Sequence, residues 1–415
     1  MAQLSNDCFA FGGELMSIDA ARALIRERLS PIAGTEVVPL IAADSRVLAE
    51  DVRAPLDLPP FDNSAVDGFA VRFADLKRDG NTRLPVLGRV AAGGSVPTPE
   101  ESAAVRIFTG APMPAGFDTV FMQEDVRLEE GRVLLPSGLK RGANRRLAGE
   151  DLPRGKRAVV AGTSLTPQHI GLLAALGIAA VPVRRRLRVA VFSTGDEIVS
   201  PGETLAAAKI YDANRFMLQA LLRRLACEVT DLGILRDNRS TIAKALSAAA
   251  ADHDLIITSG GVSTGEEDHV KAAVESAGGL AFWRLAIKPG RPVAMGIVNG
   301  TPFIGLPGNP VAVFVTFAHV ARAVIAQLSG AAFEPPQAFA VRSAFAYRKK
   351  EGRREYVRVS LAAGEGGVEA RKHPREGAGI LTSLTESDGL VELPETVTRV
   401  EPGDTVGFLP YALVR

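Results

Sequence analysis

The chain has 415 residues, 47% hydrophobic and 23% charged, the balance of a folded globular protein too long for one hydrophobic core. Its 48 Lys and Arg stand against 47 Asp and Glu, which gives no electrostatic footing for nucleic acid or a membrane surface. Two cysteines, Cys8 and Cys227, exclude a disulfide framework or a cysteine zinc site and point to a reducing, cytoplasmic compartment, and the N-terminus reads as having no secretion signal.

In chain order, the first predicted element is a helix over 17–28, and a second lies at 167–176. Between them, 55–148 is rich in strands and turns and reads as an insertion within an outer α-containing domain made of 1–54 and 149–184. The loop Pro59-Pro-Phe-Asp-Asn-Ser-Ala-Val-Asp-Gly-Phe-Ala-Val71 leads into a strand; taken alone its Asp62, Asn63 and Asp67 read first as turn formers, with a ligand-binding role as the alternative. Phe108-Thr-Gly-Ala-Pro-Met-Pro114 either displays Thr109 to a ligand or is a plain turn, and Glu130-Gly131 predicts a hairpin.

Residues 185–330 alternate strand and helix, with strands at 187–192, 228–235 and 255–258 and helices at 213–225 and 240–250. This is the pattern of a doubly wound parallel sheet, whose ligands bind at the carboxyl ends of the strands. The first helix carries a predicted apolar stripe of Ala213, Phe216, Met217, Ala220, Leu221 and Leu225, with Asp212 as N-cap. Phe192-Ser-Thr-Gly-Asp-Glu-Ile198 sets Asp196 and Glu197 at the ligand-binding edge.

The next such edge, from Asp254 to Lys271, runs from an apolar strand through Ser259, Gly260, Gly261 and Ser263 to the acids Glu266, Glu267 and Asp268. Glycines there let backbone N–H groups approach phosphate, and the acids suit Mg2+ bridging to it, or simply the helix dipole. Arg284-Leu-Ala-Ile-Lys-Pro-Gly-Arg291 spaces three cations along a strand and turn, either solvated or, for Lys288, directed by the Pro-Gly turn. Ile304-Gly-Leu-Pro-Gly-Asn-Pro-Val311 joins a strand to the apolar run 310–328, with Asn309 as a predicted N-cap; His319 and Arg322 mark that run as a buried core helix, not a membrane span. Residues 335–415, with strands at 355–361 and 404–409 and no helical period, predict a small β-barrel or sandwich.

Taken together, the Asp62 loop, Thr109-Gly-Ala-Pro, Gly149-Glu-Asp151, Ser193-Thr-Gly-Asp-Glu197, Tyr211-Asp-Ala-Asn214, Ser259-Gly-Gly-Val-Ser263, Lys288-Pro-Gly and Leu306-Pro-Gly-Asn-Pro310 resemble the MoeA family from about residue 15 to 410. These molybdopterin molybdenumtransferases are related to the E domains of gephyrin and plant Cnx. The resemblance implies a homodimer of four-domain subunits, with a MogA-like molybdopterin-binding third domain and a β-barrel fourth. It implies an active cleft between the third domain of one subunit and the second domain of the other.

The implied reaction takes adenylylated molybdopterin and molybdate, releases AMP with Mg2+, and leaves molybdenum on the dithiolene sulfurs. By resemblance, Asp151, Glu197, Asp237 and Asp268 are the carboxylates, and Glu197, Asp237 and Asp268 hold the metal. Lys288 and Arg284, with Arg291, would hold pterin phosphate or molybdate. Ser259, Gly260, Gly261 and Ser263 would contact the pterin nucleotide, with Asp212, Asn214, Pro307, Asn309 and Pro310 beside them, and Asp67 and Thr109 would arrive from the partner subunit. Further implied partners are the upstream adenylyltransferase and downstream molybdoenzymes or their chaperones. Two positions depart from the common pattern: Arg291 stands where many members have Lys, and Ala312 where many have a Ser that would be a donor to molybdate. The alternative readings are a molybdopterin adenylyltransferase, disfavoured by the three additional domains, and a gephyrin-like scaffold, disfavoured by intact candidate acids.

Overall fold

The computed structural model describes residues 15–96, 101–236, 238–261, 269–364 and 367–414. Ser17 starts the first helix, α1 (Ile18–Arg28), by accepting the Ala20 N–H at 3.1 Å, and the helix buries Ile18, Ala21, Arg22 and Ile25. Beyond it, Thr35–Pro39 pairs antiparallel with Ala180–Arg184, and α2 (Pro167–Ala175) lies against this ribbon. Pro167 occupies the first turn of α2, where its missing N–H is harmless. Val38, Leu48, Leu165, Leu173, Val181 and Val183 form a small core there.

The strand-rich region is a six-stranded sheet in the order Thr119–Met122, Gly68–Val71, Ala104–Ile107, Thr82–Val90, Arg132–Leu135, Arg127–Glu129. The expected hairpin forms: Glu130 (φ 47°) and Gly131 (φ 76°) make a two-residue turn in which both central residues have positive φ, the geometry that matches strand twist. Gly68 is held tightly, since a Cβ there would lie 1.8 Å from the Phe121 carbonyl oxygen.

Residues 188–306 build the central sheet in the order Glu228–Leu235, Arg188–Thr194, Leu255–Ser259, Thr301–Leu306, Pro292–Val298, Gly278–Arg284. The first four strands are parallel, and the last two pair antiparallel. The sheet is therefore mixed where a parallel one was expected: seven residues, 285–291, are too short for a crossover, so the chain returns as a hairpin. Side chains alternate between two cores. Val189, Val191, Leu255 and Ile257 face α3 (Asn214–Arg224) and the long helix α6 (Pro310–Ser329). Ala190, Phe192 and Ile256 face α4 (Arg239–Asp252) and α5 (His269–Ala277).

The predicted stripe on α3 is out of phase. Leu218, Leu221 and Leu222 are buried, while Phe216 is 47% exposed and Ala220 faces out. Arg215 and Gln219 take the inner positions because Asp212 and Asp231 receive them there. Asp212 lies one residue before the N-cap position, yet its Oδ1 still accepts the Arg215 N–H at 3.2 Å. Asn309 occupies the N-cap position of α6 without a side-chain capping bond.

α6 is the expected core helix, buried along almost its whole apolar length and interrupted by a π turn at Phe317–Ala321. The Arg22 Nε–H donates to the His319 carbonyl within that turn at 3.2 Å. In the C-terminal region, Arg354–Gly364, Gly367–Lys372, Phe339–Ser343, Thr405–Pro410 and Gly389–Leu393 close into a five-stranded β-barrel when the last pairs back onto the first. Ile287–Lys288 adds to the barrel in parallel beside Arg354–Glu355, tying the central region to it. One core runs through this junction: Tyr356, Leu390, Leu409 and Val414 of the barrel region pack with Ile18, Leu285 and Phe317.

Candidate functional site

At the carboxyl ends of Arg188–Thr194 and Leu255–Ser259 lies a cavity of 260 Å³, bordered by Glu197, Asp212, Asn214, Ser259, Gly260 and Pro310. The topology explains it, because adjacent parallel strands leave their carboxyl ends open to a crevice. Asn214 sits at the start of α3, and its Nδ2 donates to Ser259 Oγ (2.9 Å) and to the Gly308 carbonyl (2.6 Å). Ser259 Oγ–H donates to the Pro307 carbonyl at 3.1 Å. These bonds fasten three loops to one another and leave the buried Asn214 Oδ1 and Ser193 Oγ without a partner among the described residues. A buried idle acceptor and hydroxyl at a cavity wall are positions for ligand donors.

Gly260 and Gly261 (φ 85° and 63°) give the strand-end loop a conformation that side chains resist. A Cβ on Gly261 would lie 2.3 Å from Thr194 Oγ1 and 2.8 Å from Val270 Cγ2. We expect Gly261→Ala to be destabilised by about 1–3 kcal/mol in chemical denaturation; a variant as stable as the parent would show that the loop relaxes freely.

Asp212 is committed within the fold. It holds Arg215 Nε at 2.8 Å, and Arg215 reaches on to Asp231. Burial opposes the charge on Arg215, but the hydrogen bonds to Asp212 and Asp231 outweigh it and hold the guanidinium above its ordinary pKa. Glu197 is exposed on the cavity rim, with no ion pair among the described residues, and its carboxylate lies over Gly195, where a Cβ would come within 2.5 Å of Oε2. Its carboxylate is a hard oxygen donor of the kind that Mg2+ accepts. Asp237, Ser263 and Asp268 lie outside the described residues, and no cluster of three or more candidate metal ligands occurs among those described.

A second cavity, of 100 Å³, opens between the 285–291 hairpin and the barrel. Lys288 Nζ donates to Glu355 Oε2 (3.2 Å) and Tyr347 OH (3.3 Å), and Tyr347 OH donates to the same carboxylate at 2.8 Å. Burial works against the ammonium, yet Tyr347 and Glu355 prevail and raise its pKa. Arg358, Lys372 and Arg375 make the wall of this cavity cationic, His373 lines it too, and Lys372 pairs with Glu376. Burial lowers the Arg358 pKa; its guanidinium donates to Ser383 Oγ at 3.1 Å and to two carbonyls, with no carboxylate within 4 Å among the described residues. None of these barrel residues stood out in the sequence, because each is an ordinary strand or turn residue until closure gathers them.

One loop separates the two cavities. Ala378 borders the Lys288 cavity, Gly379 and Leu381 border the other, and the Ala378 carbonyl accepts from Val311 N at 3.0 Å. Of the three predicted cations, Lys288 borders one of these two cavities, while Arg284 and Arg291 border neither. Arg284 and Arg291 are exposed at the base of the hairpin, where Leu285 N donates to the Arg291 carbonyl, and their side chains form no ion pair among the described residues. Ala312 is buried on the first turn of α6 against the Lys288-Pro289-Gly290 turn, its carbonyl 3.3 Å from where a Gly290 Cβ would sit.

Asp67 and Thr109 meet elsewhere. Asp67 Oδ1 accepts both the Thr109 N–H (2.8 Å) and its Oγ1–H (2.7 Å), which lowers the Asp67 pKa. Asp151 is exposed, its N–H bonded to the Leu58 carbonyl at 3.0 Å, while Asp62 is a loop fastener that accepts Ala148 N–H at 2.8 Å. None of these four borders either cavity within the chain.

Comparison with known proteins matches residues 16–177 to the MoeA N-terminal region (domain I and II), 190–327 to a probable molybdopterin binding domain, and 340–411 to the MoeA C-terminal region (domain IV). A molybdopterin molybdenumtransferase of Haemophilus influenzae is 41% identical over 403 residues, covering 96% of this chain and 99% of the relative. Another from Nostoc sp. is 38% identical, covering 90% and 88%. The crystal structure of the molybdopterin biosynthesis moeA protein from Pyrococcus horikoshii OT3 superposes with a TM-score of 0.80 at 30% identity, covering 96% of this chain and 100% of that one.

Proposed function

The chain belongs to the MoeA family, and from that premise we propose that it inserts molybdenum into adenylylated molybdopterin with release of AMP. The observation that carries this reading is the pair of cavities divided by the 378–381 loop: one has idle polar groups beside a glycine-rich strand end, the other a cationic wall. The first suits a pterin nucleotide and the second a tetrahedral oxyanion such as molybdate.

In this mechanism the Gly260 and Gly261 loop and Ser259 hold the phosphates, while Asn214 Oδ1 and Ser193 Oγ take ligand donors. Lys288 and Arg358 hold molybdate, and the 378–381 loop sets its distance from the dithiolene. Glu197, with Asp237 and Asp268, would hold Mg2+, which when bound neutralises charge on the pyrophosphate oxygens. Water adds across the P–O–P link to give AMP and the pterin monophosphate. The two thiol protons leave with one molybdate oxygen as water as both sulfurs bind molybdenum. Asp67 and Thr109 complete the site from the partner in a cytoplasmic homodimer.

The test is incubation of the pure protein with adenylylated molybdopterin, molybdate and Mg2+. AMP release is expected. ATP-dependent synthesis of the adenylate would assign the preceding step instead, and inertness would leave a scaffold.

Ala312 adds a graded check. A serine at this position stands beside the turn that carries Lys288, and a hydrogen bond to a charged group contributes about 1.5–3 kcal/mol. Ala312→Ser is expected to lower the molybdate concentration for half-maximal cofactor formation by about tenfold. An unchanged dependence would put the missing donor elsewhere, with Ser383 and Arg358 next to examine.

A further inference from the structure

Two helices begin at the first cavity and end together at another. α3 starts at Asn214 and finishes at Arg224, and α6 starts at Pro310 and finishes at Ser329. Between these far ends and the outer region, at Ser45, Val47 and Ser164–Thr166, lies a cavity of 350 Å³. It shares no lining residue with the two cavities of the candidate site.

Arg322 is the unusual member of its wall. Nη1 donates to the Leu413 carbonyl at 2.7 Å, Nε is buried without a partner, and no carboxylate lies within 4 Å of the guanidinium among the described residues. Burial and the nearby charge of Arg22 both lower its pKa. Arg354 shows the ordinary solution, with Asp19, Glu392 and Glu395 all within 4 Å. A part-buried cation with no carboxylate within reach is costly until an anion meets it.

The rest of the cavity says what kind of anion. A second guanidinium, Arg224, borders it, and Glu334 is the one carboxylate on its wall, in no ion pair among the described residues. Ser164 and Ser329 add hydroxyls, while Leu165, Ile325 and Phe333 make an apolar floor. The volume falls in the range of small-molecule sites, which join an apolar body to a few polar anchors. We propose that this rear cavity is a second ligand site, taking a small organic anion: a carboxylate or phosphate on an apolar, ring-sized body, with the charge at Arg322 and the ring against Phe333.

Phenyl phosphate is a suitable probe, titrated calorimetrically into the full-length Lys288→Ala variant to weaken the front oxyanion cavity; binding at the phosphate-holding glycine loop is told apart by its indifference to substitutions at Arg322, Arg224 and Ser329. One site per chain that depends on Arg322 is expected. Arg322→Gln should weaken binding at least tenfold and Arg224→Gln several-fold, and neutral phenol should bind far more weakly than phenyl phosphate. Should Arg322→Gln fail to fold, Ser329→Trp, which fills the cavity without changing charge, should abolish binding while the thermal melt stays cooperative. No binding at millimolar phenyl phosphate, or an affinity untouched by Arg224→Gln and Ser329→Trp, would overturn the assignment.

Discussion

Glu197→Gln and Asp268→Asn are each expected to lower AMP release by on the order of a hundred- to a thousandfold, the usual effect of removing one preorganised charge-stabilising group. The exposed position of Glu197 makes a folding defect an inadequate explanation for such a loss. Raising Mg2+ should recover part of the activity, because a weakened site fills at higher concentration, whereas a lost proton-transfer group would not respond. Full turnover of both variants at ordinary Mg2+ would remove these carboxylates, and Asp237 with them, from the metal site.

Mixing two inactive proteins should produce an active one. Within one chain, the Asp67–Thr109 pair borders neither cavity, so a site needing both must draw on two copies. Asp67→Ala and Asp268→Ala, each inactive alone, are expected to regain up to about one quarter of parental activity when exchanged in equal amounts. Half of the dimers are then mixed, and each mixed dimer has one intact site of two. Mass spectrometry must first establish that subunits exchange. Mixed dimers without turnover would mean that each chain builds its site alone.

Local periodicity made much of the central region legible. Strand 228–235 lies where alternation puts it, and α1 to α4 begin and end within about two residues of their predicted limits, because capping and apolar spacing are local signals. The phase of α3 was not legible, since a buried Arg215 is intelligible only with Asp212 and Asp231 in place. Nor was the antiparallel edge, whose cause is a short connection. At the site, glycine and hydroxyl motifs disclosed the first cavity. The second stayed hidden because Lys288 gains its partners Tyr347 and Glu355 only through pairing across 59 and 67 residues.

The continuous core at the barrel junction bears on how the molecule comes apart. Tyr356, Leu390, Leu409 and Val414 share one cluster with α1, α6 and a face of the central sheet, in addition to the barrel's own interior core, whereas the cores of the outer ribbon and the strand-rich sheet include no residue of the central region or the barrel. Domains that can be counted by eye are thus not the units that melt. The barrel and central region should lose structure in a single cooperative step, and the strand-rich sheet in a separate one. A lesion deep in the barrel would then be felt at Lys288 and the glycine loop alike, and trimming the barrel away would forfeit the central region with it.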